Sequence, residues 1–542
     1  MAFGHIFFAT NMMLTGLAYV WKFVVAALAF AFASLLVYYV PASRRPRNFP
    51  PGPPGLPVLG NLHQMPVKKL FLKFHEWQKQ YGPVVGLKLG PLNVVVLSNY
   101  KPVRELYDKR GNIYSSRPDH YVGNNLICPN EVHILFQPYG PTWRALRKAA
   151  VGLLNGPSIE SIIPLQQAES SQTMYDIMQT PEQWFEHLRR YAAAVVLEAV
   201  YGQRGATYDD PKITGFFEIE MAFAEIMAAG ATPPVDAFPF LKHIASFLTH
   251  YKSLAVAVGN KQKAFYNALF DNTKARMNRG DTAPCYMQKL LEGSQQSGLS
   301  HDQLVYVGGI LLEAGSETSA SNLHLFVLAM ISHPEVLKKA QKEVDDLCGD
   351  SVSPSARHIK DLPYMRAIMT EIFRWRPLAP EGPPHMLTQD DWYDGYFLPK
   401  GTIVFANTWS IHHDESEYDK PADFIPERWL NNKFGTTAGG DTVDGDNRRV
   451  TYAFGASRRV CPGQEMGENS LMINMAKMAW AFDMKADPDS PPDLDARATY
   501  SDSFVGGPHA FPAILTVRSQ KHREVLERDH REAQEFLRRY ED

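Results

Sequence analysis

Apolar residues dominate the start of the chain and then thin into periodic patterns. Residues 23–40 read FVVAALAFAFASLLVYYV, uncharged, with Ser34 the one aliphatic hydroxyl. As a helix this run is about 27 Å long, close to the hydrocarbon thickness of a bilayer. More apolar residues precede it, so the span can shift or lengthen. A cleaved signal would have a shorter apolar core and a small-residue cleavage site, whereas this run ends in Tyr38-Tyr39-Val40-Pro41. Arg44, Arg45 and Arg47 follow at once, which places that side in the cytoplasm. The expectation is a single-pass membrane anchor over residues 1–44, with its transmembrane helix at about 20–40. Prolines and glycines at 50–57 then predict a stiff hinge over 45–58, because proline fixes φ and glycine ends a helix.

Beyond the hinge, apolar spacing near 3.6 residues predicts helices over 191–200, 221–228, 303–331, 335–347 and 364–375. Short apolar runs between turn residues predict strands at 84–88, 93–97 and 401–406. No second linker, repeat or low-complexity run interrupts residues 59–518. The fold class is therefore mainly α with small β-sheets (α+β), in one large domain. Residues 519–542 form a charged tail of helical pattern, with Val525, Leu526, Phe536, Leu537 and Tyr540 its main apolar positions.

Composition narrows the function. Of 542 residues, 45% are hydrophobic and 21% charged, which excludes a disordered chain. Fifty-five basic against 58 acidic residues leave a net charge of -3, so no basic field marks a nucleic-acid binder. Cys128, Cys285, Cys348 and Cys461 lie far apart, which excludes a disulfide scaffold and a cysteine-rich zinc module. The pair His412-His413 reads as a polar turn, since adjacent side chains diverge.

One cysteine has unusual company. Residues 454–463 read Phe-Gly-Ala-Ser-Arg-Arg-Val-Cys-Pro-Gly. Arg458 and Arg459 flank Cys461, and nearby cations keep a thiolate deprotonated. Gly463 permits a tight backbone approach before a helical stretch. A thiolate on haem iron pushes electron density towards oxygen and favours O–O cleavage.

With these residues the sequence resembles the cytochrome P-450 superfamily, whose cysteine loop is Phe-x-x-Gly-x-Arg-x-Cys-x-Gly. Phe454, Arg459, Cys461 and Gly463 match it, while Ser457 stands where glycine is usual. The resemblance implies haem as cofactor, with Cys461 its axial ligand. Glu371 and Arg374 match the family's E-x-x-R helix, and Arg428 completes a glutamate–arginine–arginine network. Trp143 and Arg147 resemble the W-x-x-x-R pair that meets a haem propionate, and His385 stands where members place a second propionate partner. Ala314-Gly315-Ser316-Glu317-Thr318-Ser319 resembles the element over the distal haem face. There Gly315 would open the helix to oxygen or water, and Glu317 and Thr318 would relay protons.

The resemblance covers residues 45–517 and looks like the microsomal branch of filamentous fungi, whose members tailor secondary metabolites. It implies a monooxygenase at the endoplasmic reticulum, using O2 to hydroxylate or epoxidise a lipophilic small molecule. Phenol or aryl coupling, or desaturation, by the same haem stays open, as does a non-catalytic haem protein. No dinucleotide fingerprint follows a strand, and the chain beyond Cys461 is too short for a fused flavoprotein. A separate NADPH-cytochrome P-450 reductase is implied, with Arg144, Arg147, Lys148, Arg458 and Arg459 on its side. By analogy Phe217, Phe223, Met227, Pro233, Pro234, Phe238 and Phe504 line the substrate pocket.

Overall fold

The computed structural model describes residues 2–244, 249–280, 283–293, 297–437, 448–501 and 505–541, the side chains of 2–16 and of Phe32 excepted. The first helix, α1 (Ala2–Ala42), includes Leu17–Ala42, long and apolar enough to cross a membrane. It meets the body at its C-terminal end, where Tyr39 packs on Phe238 and Phe240 at 5.2 and 6.1 Å between ring centroids.

The Pro/Gly segment that follows is fastened to strand β1 (Val84–Leu89). Arg45 Nη2 donates to the carbonyls of Pro53 and Gly86, both at 2.8 Å, and Gly86 N–H donates to Pro51 at 2.7 Å. A Cβ on Gly52 would lie 2.2 Å from the Gly86 oxygen, so only glycine allows this approach.

Helices make up most of the body: α2 (Leu70–Tyr81), α3 (Pro141–Leu153), α4 (Gly156–Gln179), α5 (Trp184–Tyr201) and α6 (Pro211–Met227). They continue with α7 (Tyr251–Arg279), α8 (His301–Ser332), α9 (Pro334–Cys348), α10 (Pro363–Trp375), α11 (Gln464–Ala481) and α12 (Gln520–Leu537). At its start, α8 is set by a capping box, Ser300 and Gln303 each satisfying the other's backbone N–H. It then runs about 48 Å through the centre of the molecule, against α3, α5, α7, α10 and α11. Its mostly apolar flanks explain why 303–331 was legible as a helix.

Two other long helices, α4 and α7, were not legible. The buried face of α4 carries Gln166, Glu169, Ser170 and Thr173, so it shows no apolar stripe. Glu169 instead accepts from Arg190 at 2.5 Å and Arg204 at 3.4 Å, both buried. The runs at 191–200 and 221–228 mark only the apolar ends of α5 and α6.

The main sheet has the order β1, β2 (Leu92–Leu97), β6 (Ile403–Ala406), β3 (His385–Met386). Its pairs are antiparallel, parallel and antiparallel in turn. A bridge from Met386 to Ser116 extends it to the segment carrying Arg117. Two hairpins, β4 (Asp391–Tyr393) with β5 (Tyr396–Leu398) and β7 (Phe482–Ala486) with β8 (Ala513–Val517), complete the described strands.

The charged C-terminal segment is a working part of the core. Val525, Leu526, Ala533, Leu537 and Tyr540 are buried, with α12 lying along α4. Arg204 N–H donates to the Tyr540 carbonyl at 3.0 Å, and its guanidinium reaches Gln534 at 3.2 Å and also Glu541. Leu537 is wholly buried. Leu537→Ala is therefore expected to lower stability by about 2–4 kcal/mol, read as a fall in the denaturant midpoint.

Candidate active site

One carboxylate organises the region behind the cysteine loop. Glu371 and Arg374 share a face of α10, and Arg374 donates twice to Glu371, through Nε and Nη2, each at 2.8 Å. Glu371 also accepts from Ile425 N–H at 2.9 Å, Trp429 Nε1 at 2.9 Å and Arg428 Nε at 3.2 Å. Arg374 spends its remaining donors on the carbonyls of His412, Pro421 and Asp423, at 3.1, 2.7 and 2.9 Å. The expected triad thus comes together and ties residues 412–429 to α10. Its neighbour Phe373 meets Phe454 edge to face at 5.0 Å, which carries the brace into the cysteine loop.

Within that loop Cys461 N–H donates to the Phe454 carbonyl at 2.9 Å, and Gly463 caps α11. The thiol is surrounded by protein, yet its surface is open, so it faces internal space. Burial pushes the Cys461 thiol up from its ordinary value, while the Gly463 N–H and the Arg147 guanidinium pull it down. Arg147 itself donates to the Val460 carbonyl at 2.6 Å.

The flanking arginines do other work than the sequence suggested. Arg458 turns outward to the Tyr139 hydroxyl, and Arg459 turns away to the carbonyls of Ser115, Ile134 and Gln137, at 2.8, 3.3 and 2.6 Å. The cation beside the thiol comes from α3, because the loop's curvature sends successive side chains to different faces.

Arg459 belongs to a second cluster. It lies over the Trp143 ring at 4.3 Å and shares its surroundings with Arg117 and Arg147. Burial first, then these two like charges, pulls Arg459 down to about 8. Arg117 is buried, donates to the carbonyls of Pro383 at 2.8 Å and Pro384 at 2.6 Å, and is pulled down to about 10 by burial. His385 completes the group, its Nδ1 2.7 Å from the Tyr114 carbonyl and its ring stacked on Tyr107 at 4.1 Å. Burial, then Arg117 and Arg459, holds His385 well below the usual imidazole value.

Among the described residues no carboxylate faces Arg117, Arg147 or Arg459. Three guanidinium groups in a poorly solvated place without a counter-charge would be costly alone and suit a bound dianion. An open thiol on one side and uncompensated cations at the rim fit a haem with two carboxylates. Arg117 carried no sequence signal, because a lone arginine before a proline has neither periodicity nor motif.

On α8 most turns are buried, but Ala314 is exposed and residues 317–319 are partly so. That stretch therefore looks onto open space inside the body. Thr318 Oγ1 donates to the Ala314 carbonyl at 2.6 Å. Glu317 lies 3.6 Å from Arg189 of α5 and accepts from Ser321 at 3.5 Å. Arg189 was also missed, and only the crossing of α5 over α8 reveals it.

Two expectations are corrected here. The helix does not open at Gly315: α8 is continuous, and a Cβ there would lie 2.7 Å from Val196 Cγ2, so glycine serves the approach of α5. Phe238 packs on Tyr39 and against Gly90, at the anchor. Phe217 lies under the Arg189 guanidinium at 3.8 Å, and Phe223 faces His133 and Phe136 at 6.3 and 6.5 Å. Phe504 lies outside the described residues.

Ser457 has φ +66°, the left-handed region that explains the family's glycine. Here Ser457 N–H donates to Asp108 Oδ1 at 2.9 Å, and Asp108 is held by Arg449 at 2.6 Å. Ser115 Oγ donates to the Gly111 carbonyl at 2.5 Å, so the Ser457 hydroxyl, 2.8 Å away, donates to Ser115.

The chain matches the cytochrome P450 family over residues 50–505. It is similar to the cytochrome P450 monooxygenase yanC of Aspergillus niger, 35% identical over 513 residues that cover 92% of this chain and 95% of the relative. Similar too are macC of Penicillium terrestre, 35% identical over 90% of this chain and 93% of the relative, and patI of Penicillium expansum, 34% identical over 94% and 96%. Both of these are also named cytochrome P450 monooxygenases.

At Ser457 the strain of the left-handed backbone, about 1 kcal/mol, is set against one hydrogen bond of similar worth. Ser457→Gly should therefore leave the denaturation midpoint almost unchanged. Ser457→Ala keeps the strain and loses the bond, and should cost about 1 kcal/mol.

Proposed function

The chain belongs to the cytochrome P450 family of haem monooxygenases, and on that premise we propose that it oxidises a lipophilic secondary metabolite at the endoplasmic reticulum membrane. The reaction is hydroxylation or epoxidation with O2. The observation that carries this reading is a cluster of one buried and two half-buried guanidinium groups, without carboxylate partners among the described residues, beside the open Cys461 thiol.

Cys461 would supply the thiolate that holds the haem iron, and coordination would offset the effect of burial on its proton. Arg117, Arg147, Arg459, Trp143 and His385 would hold the haem carboxylates, with Trp143 supporting the flat face of Arg459. Phe454 and Gly463 shape the loop around the sulfur. Glu371, Arg374 and Arg428 keep that loop in register through the brace described above. When bound, the haem supplies the activation of dioxygen with two electrons from outside.

Proton delivery falls to Glu317 and Thr318. The Thr318 hydroxyl is parked on the Ala314 carbonyl, next to the exposed stretch of α8, and leaves its lone pairs free to accept. Glu317 sits between Arg189 and Ser321, one carboxylate oxygen facing the cation and the other the hydroxyl. This pair argues against a non-catalytic haem protein, whereas oxygen insertion and radical coupling both need O–O cleavage and are told apart by product mass.

α1 anchors the protein in the membrane, with the catalytic domain facing the cytoplasm. Electrons come from NADPH-cytochrome P-450 reductase. Arg144, Lys148 and Arg458 are exposed on the cysteine-loop side and are the cations left to meet its acidic surface.

Cys461→Ser is expected to abolish the red-shifted carbon monoxide band of the reduced protein, and a retained band would refute the ligand assignment. In a host carrying the reductase, the protein should yield a metabolite heavier by one oxygen atom than its precursor. Thr318→Ala should lower product formed per O2 consumed by about tenfold. A product lacking two hydrogens, or a precursor dimer, would refute oxygen insertion.

A further inference from the structure

Three carboxyl groups meet where α6, α7 and α8 come together with the loop at 131–137. Their situations differ. Glu313 of α8 is saturated: it accepts from Gln262 Nε2 at 2.6 Å and from the Tyr266 hydroxyl, both on α7, and its Oε2 lies 3.0 Å from His133 Nε2. Glu317, one turn on, has Arg189 and Ser321. Among the described residues, Glu220 of α6 has neither donor nor cation. Its Oε1 is fully buried without a hydrogen-bond partner, and the charges that act on it are those of Glu313 and Glu317.

The surroundings of Glu220 are aromatic and apolar. Phe216, Phe217 and Phe223 lie within one turn of it on α6 and are buried. Phe223 in turn faces Phe136 and His133 from the loop. The residue keeps some accessible surface although its Oε1 is sealed.

A carboxylate here would be desolvated and repelled by two others. Burial first, then Glu313 and Glu317, accordingly holds the Glu220 carboxyl well above the usual carboxylate range. The neutral form removes the repulsion but leaves a buried O–H with nothing to donate to, and an unmade hydrogen bond is costly. Folding alone does not explain such a group, because leucine at this place would avoid the cost.

We propose that Glu220 is a substrate-recognition group, whose neutral carboxyl donates a hydrogen bond to a carbonyl oxygen on the ring system of the substrate. This rests on the oxygenase reading above and deepens it by giving the substrate class: a flat, apolar molecule with an uncharged acceptor distant from the oxidised carbon. The aromatic neighbours take the ring, and the acid fixes which edge faces the exposed stretch of α8. A site built to hydrogen-bond an oxygen discriminates strongly against an analogue lacking it, since the buried partner is then left unpaired. A cationic substrate is disfavoured by the neutrality of Glu220 and by the arginine already paired with Glu317.

The test uses the haem-loaded full-length chain and three probes of one ring size: acetonaphthone, ethylnaphthalene and a naphthylmethyl trimethylammonium salt. Equilibrium dialysis reads their binding. The ketone should bind roughly tenfold tighter than the hydrocarbon, the worth of one buried hydrogen bond. Glu220→Leu should erase that preference, and Glu220→Gln, whose amide still donates, should keep most of it. A stretch of a protonated carboxylic acid in the infrared spectrum should vanish in Glu220→Gln.

Equal binding of ketone and hydrocarbon, no binding of the ketone, or loss of preference in Glu220→Gln would overturn the proposal. So would tightest binding of the ammonium salt, which would make Glu220 a carboxylate. The red-shifted carbon monoxide band is measured on the same samples. Its absence from the wild type would defeat the oxygenase reading, whereas its presence with indifferent probes defeats only the role of Glu220.

Discussion

Glu371 lies at zero exposure and accepts five hydrogen bonds, from Arg374 twice, Arg428, Trp429 and Ile425. A buried ion pair need not add net stability over an apolar pair, because both charges lose their water. Its worth is geometric. The donors come from one helix and from an irregular stretch far along the chain, and only one arrangement of that stretch satisfies them all. Removing either partner would strand the other charge and cost about 3–5 kcal/mol. The cysteine loop begins where this brace ends, at the Phe373–Phe454 contact.

The loop is then held from its other side by hydrogen bonds that cross the fold. Arg459 reaches three carbonyls on segments near the main sheet, and Ser457 reaches Asp108 and Ser115. Each of these segments also carries a cation or its support, so fixing the thiol and fixing the cation cluster are one structural act. The electrostatic result is a pocket short of negative charge, which a dianionic cofactor supplies. Stability and cofactor binding are thereby linked, since anything that binds the folded cluster alone stabilises the fold.

On the opposite side the charge balance is reversed. Glu220, Glu313 and Glu317 converge where α6, α7 and α8 meet, and two of the three have donors or a cation. Acidic groups there and basic groups at the cysteine side divide the interior electrostatically. Long α8 passes between them and contributes the exposed turn at Ala314. Its straight, continuous course follows from the close approach of α5 at Gly315.

What was legible in the sequence was whatever is encoded locally. The apolar helix expected at about 20–40, the core helix α8, the strands of the main sheet and the Glu371–Arg374 pair all sit in runs or motifs whose spacing is set by one helix or one loop. The polar α4 was hidden because its partners, Arg190 and Arg204, are on other segments and no stripe marks a face buried by ion pairs. Arg117, Arg189 and Glu220 were hidden for the same reason: each matters only through what faces it. Sequence by itself determined the family and its haem cofactor, and singled out the Cys461 thiol. Tertiary structure decided which cation stands beside that thiol, which arginines lack counter-charges and which carboxyl is left without a donor, because charge compensation is a property of neighbours in space.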